Sequence, residues 1–129
     1  MDRYVGSNLA HQSARMPEEK RTDIQTWISD LEYSILGIPK PDIVFFLDMP
    51  PNNARKLIAL KEPRSYTDKA EDLHEASGDH LQKALTVFRH LANKNSWRRI
   101  ECTEDDGVVR TPGVVHDAIM ASLRQSFEV

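Results

Sequence analysis

The sequence has little of what membrane, secreted or nucleic-acid-binding proteins use. Only one of its 129 residues is a cysteine, so Cys102 cannot form a disulfide within the chain, which fits a reducing compartment. Its longest uninterrupted apolar run, Ile43 to Leu47, is too short to span a bilayer. The formal net charge of −3 provides no cationic excess for nucleic acid. We therefore expect a cytoplasmic protein that binds neither membranes nor nucleic acid.

Glycine is also scarce, and its placement excludes one phosphate-binding motif. A P-loop of the type G-x-x-x-x-G-K-[ST] cradles donor phosphates with its backbone amides and its lysine. None of the five glycines of this chain is followed by lysine; they are Gly6, Gly37, Gly78, Gly107 and Gly113. The sequence therefore contains no P-loop.

What is present suits one folded domain over residues 1–129. Hydrophobic residues make up 40% and charged residues 29%, which allows a buried core and does not indicate disorder. Apolar residues at three- and four-residue spacing predict a helix that begins at Pro17 and ends at Gly37. The residues of its apolar face are Ile24, Trp27, Ile28, Leu31 and Ile35.

Helical and strand patterns alternate along the rest of the chain. The run Ile43 to Leu47 predicts a strand buried on both faces, as in a parallel sheet, and a helix follows over about 52–60. Residues 61–78 are rich in charges and turn formers and predict a mobile surface loop. A helix over 81–91, a strand over 97–102 and a final helix over 111–125 complete the pattern. This order predicts an α/β fold whose parallel strands are joined by helices.

Near the start, Asp2, Arg3 and Tyr4 precede a further helix. An arginine presents a planar fork that matches phosphate oxygens, and an aspartate beside it could hold Mg²⁺. A helix N-cap with a surface ion pair is the alternative interpretation of the same residues.

Three stretches, in order along the chain, carry a resemblance to one enzyme family. Residues 2–12 resemble the Asp-Arg-Tyr segment of thymidylate kinases, and residues 36–42, Leu-Gly-Ile-Pro-Lys-Pro-Asp, are similar to that family's lead-in to a strand. Residues 72–75, Asp-Leu-His-Glu, resemble the acidic motif that follows its lid. The resemblance extends over essentially the whole chain and implies a P-loop nucleoside-monophosphate-kinase fold with its N-terminal strands missing.

The resemblance implies roles for residues near the start of the chain. Arg3 matches the arginine that grips the phosphate of the nucleoside monophosphate, and Asp2 matches the acid near the catalytic Mg²⁺. Ser7 and Asn8 match positions that line the base and sugar pocket. His11 stands where the family usually has tyrosine or phenylalanine beside the sugar, so discrimination of the sugar is expected to differ.

The resemblance also makes residues 61–78 a candidate lid. Lys61 and Arg64 would bring cations to the transferring phosphoryl group, although a plain solvated loop is the alternative. Asp72, His74 and Glu75 match substrate-site or lid-anchoring positions, with a solvated helix start as the alternative.

The remaining histidines, His80, His90 and His116, are isolated in sequence and show no metal-ligand spacing, which predicts surface or half-buried positions. Cys102 is expected to be an inert residue of the core.

The activity that the resemblance implies is transfer of the γ-phosphoryl group of ATP, with Mg²⁺, to dTMP. Two alternatives stay open: a kinase for another nucleoside or nucleotide, and a non-catalytic module that binds a nucleotide or a protein. Without a P-loop we expect negligible kinase activity from this chain alone. We also expect an unpaired edge on the 43–47 strand, poor solubility and, from the family, a homodimer.

Overall fold

Two short parallel strands form the sheet of the computed structural model, which describes residues 3–60 and 70–127, with only the backbone for 70–77. Strand β1 (Val44–Asp48) pairs with β2 (Trp97–Glu101), and Val44 lies opposite Trp97 in the register. Within the described residues β2 is the only strand that pairs with β1. The other edge of β1 is therefore unpaired in this part of the chain, as expected.

In the described ranges five α-helices accompany this sheet, in the order that the sequence predicts. They are α1 (Val5–Ala14), α2 (Arg21–Ser29), α3 (Pro51–Leu60), α4 (Ala70–Leu91) and α5 (Pro112–Phe127). The α/β pattern with a parallel pair of strands is thereby confirmed. No helix in the described ranges is both long and apolar enough to cross a bilayer.

The helix predicted from Pro17 to Gly37 is divided into three segments. A 3-10 turn (Glu18–Lys20) precedes α2, and a π turn (Asp30–Ile35) follows it. A π turn is wider than an α turn, so it shifts the side chains that follow it around the helix axis. Ile28 is buried as expected, but Trp27 is 60% and Ile35 73% exposed, so the predicted apolar face is wrong at these two positions.

Helix α4 begins at Ala70, well inside the segment that the sequence predicts to be a loop. The loop prediction is therefore wrong for residues 70–78, and residues 61–69 lie outside the described part. Gly78 does not end a helix here. A Cβ at this position would meet the guanidinium of Arg55 on α3, so the glycine leaves room for this side chain against α4.

The core lies where α1 and α4 pack against one face of the sheet. Leu91 and Ala10 are fully buried, and the Phe88 ring of α4 stacks on that of Phe46 with 5.2 Å between centroids. Gly6 lets α1 approach the sheet, because a Cβ there would come within 2.9 Å of the Trp97 ring.

The prediction that β1 is buried on both faces is wrong. Phe46 and Asp48 are buried on the face covered by α4, whereas Leu47, on the opposite face, is 48% exposed. The reason is that no described element covers this part of the second face.

Candidate functional site

The start of α1 is held in an unusual backbone conformation. Arg3, an exposed residue, has φ of 57°, which is uncommon for a residue with a side chain. The Tyr4 hydroxyl donates a hydrogen bond to the Pro39 carbonyl at 2.9 Å, and the Tyr4 carbonyl accepts one from the Ser7 amide at 2.9 Å. Strained backbone of this kind concentrates at functional sites. The chain is thus fixed at Tyr4 while the Arg3 side chain remains accessible.

One turn into α1, the Asn8 side chain is oriented by the π turn. Its Nδ2 donates to Glu32 Oε1 at 2.7 Å. The Leu36 amide donates to the Leu31 carbonyl at 2.9 Å, and the Ile38 amide donates to the Glu32 carbonyl at 2.9 Å. These bonds fix the turn that places Glu32 against α1, and within the described residues the side-chain oxygen of Asn8 has no hydrogen-bond partner.

An apolar groove of about 220 Å³ lies beside Asn8, between α1 and α2. Its lining is formed by Asn8, Gln12, Met16, Ile24, Trp27, Ile28 and Leu31. Two amide side chains on an otherwise apolar wall provide the mixture that small-molecule sites use, with few polar groups to fix orientation.

His11 points to a different neighbour, helix α4. Its Nδ1 lies 3.2 Å from Nε2 of His80, and the two rings stack with 5.4 Å between centroids. The Phe88 ring packs edge-on against His11 at 5.7 Å. Burial lowers the pKa of His11, and the charges of His80, Arg3 and Arg15 lower it further. The neutral imidazole is therefore the form that this contact favours.

The carboxyl ends of the two strands carry a charged cluster, defined here as Asp48, Arg89, Arg99 and Glu101. The Asp48 side chain is only 2% exposed and accepts two hydrogen bonds from Arg89, at 2.8 and 3.0 Å. Arg99 Nε lies 2.6 Å from the same carboxylate, and its Nη2 lies 3.4 Å from Glu101. The hydrogen bond to Asp48 raises the pKa of Arg89. Each charge in this cluster is thus compensated by a neighbour.

The structure brings together only part of the predicted site. Arg3 precedes α1, Ser7 and Asn8 lie near its start, and His11 lies in its last turn. Asn8 and His11 face different segments, the π turn and α4. Asp2, Lys61 and Arg64 lie outside the described residues. The backbone of α4 carries the positions of Asp72, His74 and Glu75, whose side chains also lie outside the described part.

Three features of the site are absent from the sequence prediction. His80 is not isolated, because α4 brings it onto His11 across 69 positions of sequence. Glu32 reaches Asn8 only through the π turn. The pairing of Asp48 with two arginines had one sequence signal, an aspartate at the end of an apolar strand. Cys102, in contrast, is buried as predicted, and burial raises the pKa of its thiol.

The described side chains do not provide a site for Mg²⁺. No group of three or more His, Cys, Asp or Glu residues in the described part converges on one point. Asp48 is buried but its carboxylate is already bound by two guanidinium groups, which leaves it unsuited to a hard cation. Asp2, to which the resemblance assigns this role, lies outside the described residues.

Comparison with known proteins supports the resemblance. The profile of the family described as thymidylate kinase matches residues 1–110. A thymidylate kinase of Chlorobium limicola is 30% identical over 132 aligned residues, which cover 100% of this chain and 56% of that protein. The thymidylate kinase of Mycobacterium tuberculosis is 30% identical over 92 residues, 71% of this chain and 42% of that protein.

A thymidylate kinase of Plasmodium falciparum is 28% identical over 102 residues, or 79% of this chain and 40% of that protein. No solved structure matches the chain significantly. The chain spans about half the length of the curated relatives that it matches. Since the family profile extends over most of the sequence, from the Arg3 segment to the end of the sheet, this chain belongs to the thymidylate kinase family.

Proposed function

We propose that this chain provides the acceptor side of a phosphotransferase that moves the γ-phosphoryl group of ATP to dTMP, giving dTDP. The observation that carries the proposal is the family match through the Arg3 segment, where an accessible guanidinium stands at the start of a helix. Within the described residues no side chain caps that helix start. Guanidinium and helix N-terminus together favour a phosphate group.

The nucleoside would lie along α1 beside the phosphate. Glu32 holds the Asn8 amide nitrogen, which leaves the Asn8 oxygen to accept a hydrogen bond from the N3–H edge of a pyrimidine. The groove between α1 and α2 offers an apolar wall for the base. Ser7, half-buried on the same turn, would contact the sugar.

The donor side rests on residues outside the described part. In this proposal Lys61 and Arg64 neutralise charge on the transferring phosphoryl group, and Asp72, His74 and Glu75 anchor the lid or the acceptor. Asp2 would hold Mg²⁺, which stabilises the phosphates when it is bound. Because the sequence contains no P-loop, we expect negligible turnover of ATP and dTMP by this chain alone.

Binding of dTMP and of thymidine to the 129-residue chain, measured by titration calorimetry, tests the acceptor side. Loss of a hydrogen bond to a charged group costs about 1.5–3 kcal/mol, so Arg3→Gln should weaken the binding of dTMP at least tenfold. Thymidine, which has no phosphate, should bind the variant as it binds the parent chain. Arg15→Gln is the matched control, because Arg15 is an exposed arginine at the other end of α1.

Equal weakening by both variants, or no binding of dTMP at all, would contradict the proposal. Tighter binding of a ribonucleotide or of a purine monophosphate would favour a kinase for another nucleotide instead. His11 makes this comparison informative, because its ring contacts His80 and Phe88 rather than the side of α1 that bears Asn8.

A homodimer is part of the same proposal. Ile35 and Leu36, at the end of the π turn, are exposed apolar residues that do not line the groove, and a second copy of the chain would cover them. Light scattering after size exclusion should give twice the monomer mass, and Ile35→Lys should shift the mass to that of the monomer.

A further inference from the structure

The contact between His11 and His80 has the spacing of two ligands on one metal ion. The two nitrogens belong to different helices, α1 and α4, and lie 3.2 Å apart. Two metal–nitrogen bonds of about 2.0–2.1 Å span this distance at an angle of roughly 100°. That angle lies between the right angle of octahedral and the wider angle of tetrahedral coordination.

We propose that His11 and His80 together bind a transition-metal dication, Zn²⁺, Ni²⁺ or Cu²⁺, with water completing the coordination. Imidazole nitrogen is a favoured ligand for these ions and a poor one for Mg²⁺ or Ca²⁺. The site is therefore distinct from the Mg²⁺ of the proposed phosphoryl transfer. It does not depend on the proposed function.

The surroundings of the pair decide which ions it can bind. The two half-buried rings face each other between α1 and α4, and a metal ion would bind the unprotonated nitrogen of each. The positive charges of Arg3 and Arg15, which act on His11, oppose a dication. On α4, Asp79 and Lys83 neutralise each other at 2.6 Å, and Phe88 adds no charge. The site therefore requires ions with strong affinity for nitrogen.

A metal ion bound to both histidines would join α1 to α4, so it should stabilise the folded chain. A ligand that binds the folded state alone stabilises it in proportion to its concentration over its dissociation constant. In the described residues no third His, Cys, Asp or Glu joins the pair. A two-histidine site is expected to bind weakly enough that Ni²⁺ must be supplied in excess of the protein.

Thermal unfolding of the full chain at pH 7.5, with NiCl₂ or with MgCl₂, is the first test. Ni²⁺ should raise the melting temperature of the parent chain, and Mg²⁺ should not. His11→Gln and His80→Gln should each abolish the increase. His116→Gln and His90→Gln are the controls, because both residues are exposed histidines away from the pair, and the increase should persist in them.

Direct binding keeps the proposal testable if either glutamine variant folds poorly. Electron spin echo measurements on bound Cu²⁺ count coordinated imidazoles, and the parent chain should show two. Loss of an outer-shell partner lowers metal affinity by about 10–100-fold. Removal of one of the two histidine ligands should lower the affinity for Ni²⁺ by more than that. Absence of a Ni²⁺ effect, its persistence in both variants, or a single imidazole on Cu²⁺ would overturn the proposal and leave a simple hydrogen bond.

Discussion

Helix α4 makes two polar contacts of opposite kinds, and the difference shows how each depends on its surroundings. Near its middle, His80 meets His11 of α1 as a half-buried pair of imidazoles among positive charges. Two turns further on, Arg89 meets the buried Asp48 carboxylate of β1, with Arg99 on the same carboxylate. The contact between His11 and His80 favours neutral rings, whereas the contact between Arg89 and Asp48 is an ion pair. The first should respond to pH near neutrality and the second should not.

Removing both arginines would break the charged contact and should have the largest effect. Arg89→Met with Arg99→Met leaves the Asp48 carboxylate buried without a cation, and breaking a buried pair in this way costs about 3–5 kcal/mol. Urea unfolding would measure the lower free energy of unfolding.

Arg98→Met is the control for the double variant, because Arg98 is exposed and its side chain bonds to two backbone carbonyls, with no ion pair among the described residues. Adding Asp48→Leu to the double variant should recover much of the loss, since an apolar residue no longer needs a cation. A double variant as stable as Arg98→Met would show that the charged contact contributes nothing.

Replacing His80 tests the uncharged contact and should have a smaller effect. His80→Gln should lower the free energy of unfolding at pH 7.5 by about 0.5–1.5 kcal/mol, the usual contribution of one hydrogen bond. His116→Gln should leave the free energy of unfolding nearly unchanged. A loss as large as that of the double arginine variant would mean that the two contacts are not different in kind.

Acidification sharpens the same comparison. The pKa of His11 is lowered in the folded state, so below about pH 6.5 the unfolded chain binds more protons than the folded one. The stability due to His11 is full above this pH and is lost as the pH falls towards the folded-state pKa. Denaturant titrations from pH 7.5 to 5 should show this loss, with a shallower slope in His80→Gln, because His80 contributes to the lowering.

The smallest expected effect concerns the thiol beside the charged cluster. The Cys102 amide donates to the Asp48 carbonyl at 3.0 Å, and burial, with the Asp48 charge second, raises the pKa of the thiol. Iodoacetamide at pH 8 should therefore modify the folded chain more slowly than the chain in urea, as mass spectrometry would record. Equal rates would indicate that the end of β2 opens readily.

The elements with simple periodicity could be predicted from the sequence. The sequence predicts strands over 43–47 and 97–102, and the structure has them at Val44–Asp48 and Trp97–Glu101. For the first strand the signal is its dense run of β-branched and aromatic residues between prolines, which has few other structures available to it. The last helix, predicted over 111–125, is found at Pro112–Phe127 for the same reason: its proline start and apolar spacing are local signals.

What the sequence could not provide depends on contacts between distant segments. Gly78 indicates a turn in isolation, but its lack of a side chain allows Arg55 to pack against α4. His80 looks isolated because its partner is on another helix. Of the candidate site, Arg3, Ser7, Asn8 and His11 stay predictions from motif resemblance, whereas the contact of Asn8 with Glu32 is visible only in the fold.

The π turn gives this segment one residue more than an α-helix of the same span would hold. The Leu36 amide bonds to the Leu31 carbonyl, five residues back, where an α-helix would bond four residues back. The extra residue is accommodated between the Glu32 side chain that holds Asn8 and the Pro39 carbonyl that holds Tyr4. A chain one residue shorter between Glu32 and Leu36 could therefore form a regular α-helix here and keep both contacts.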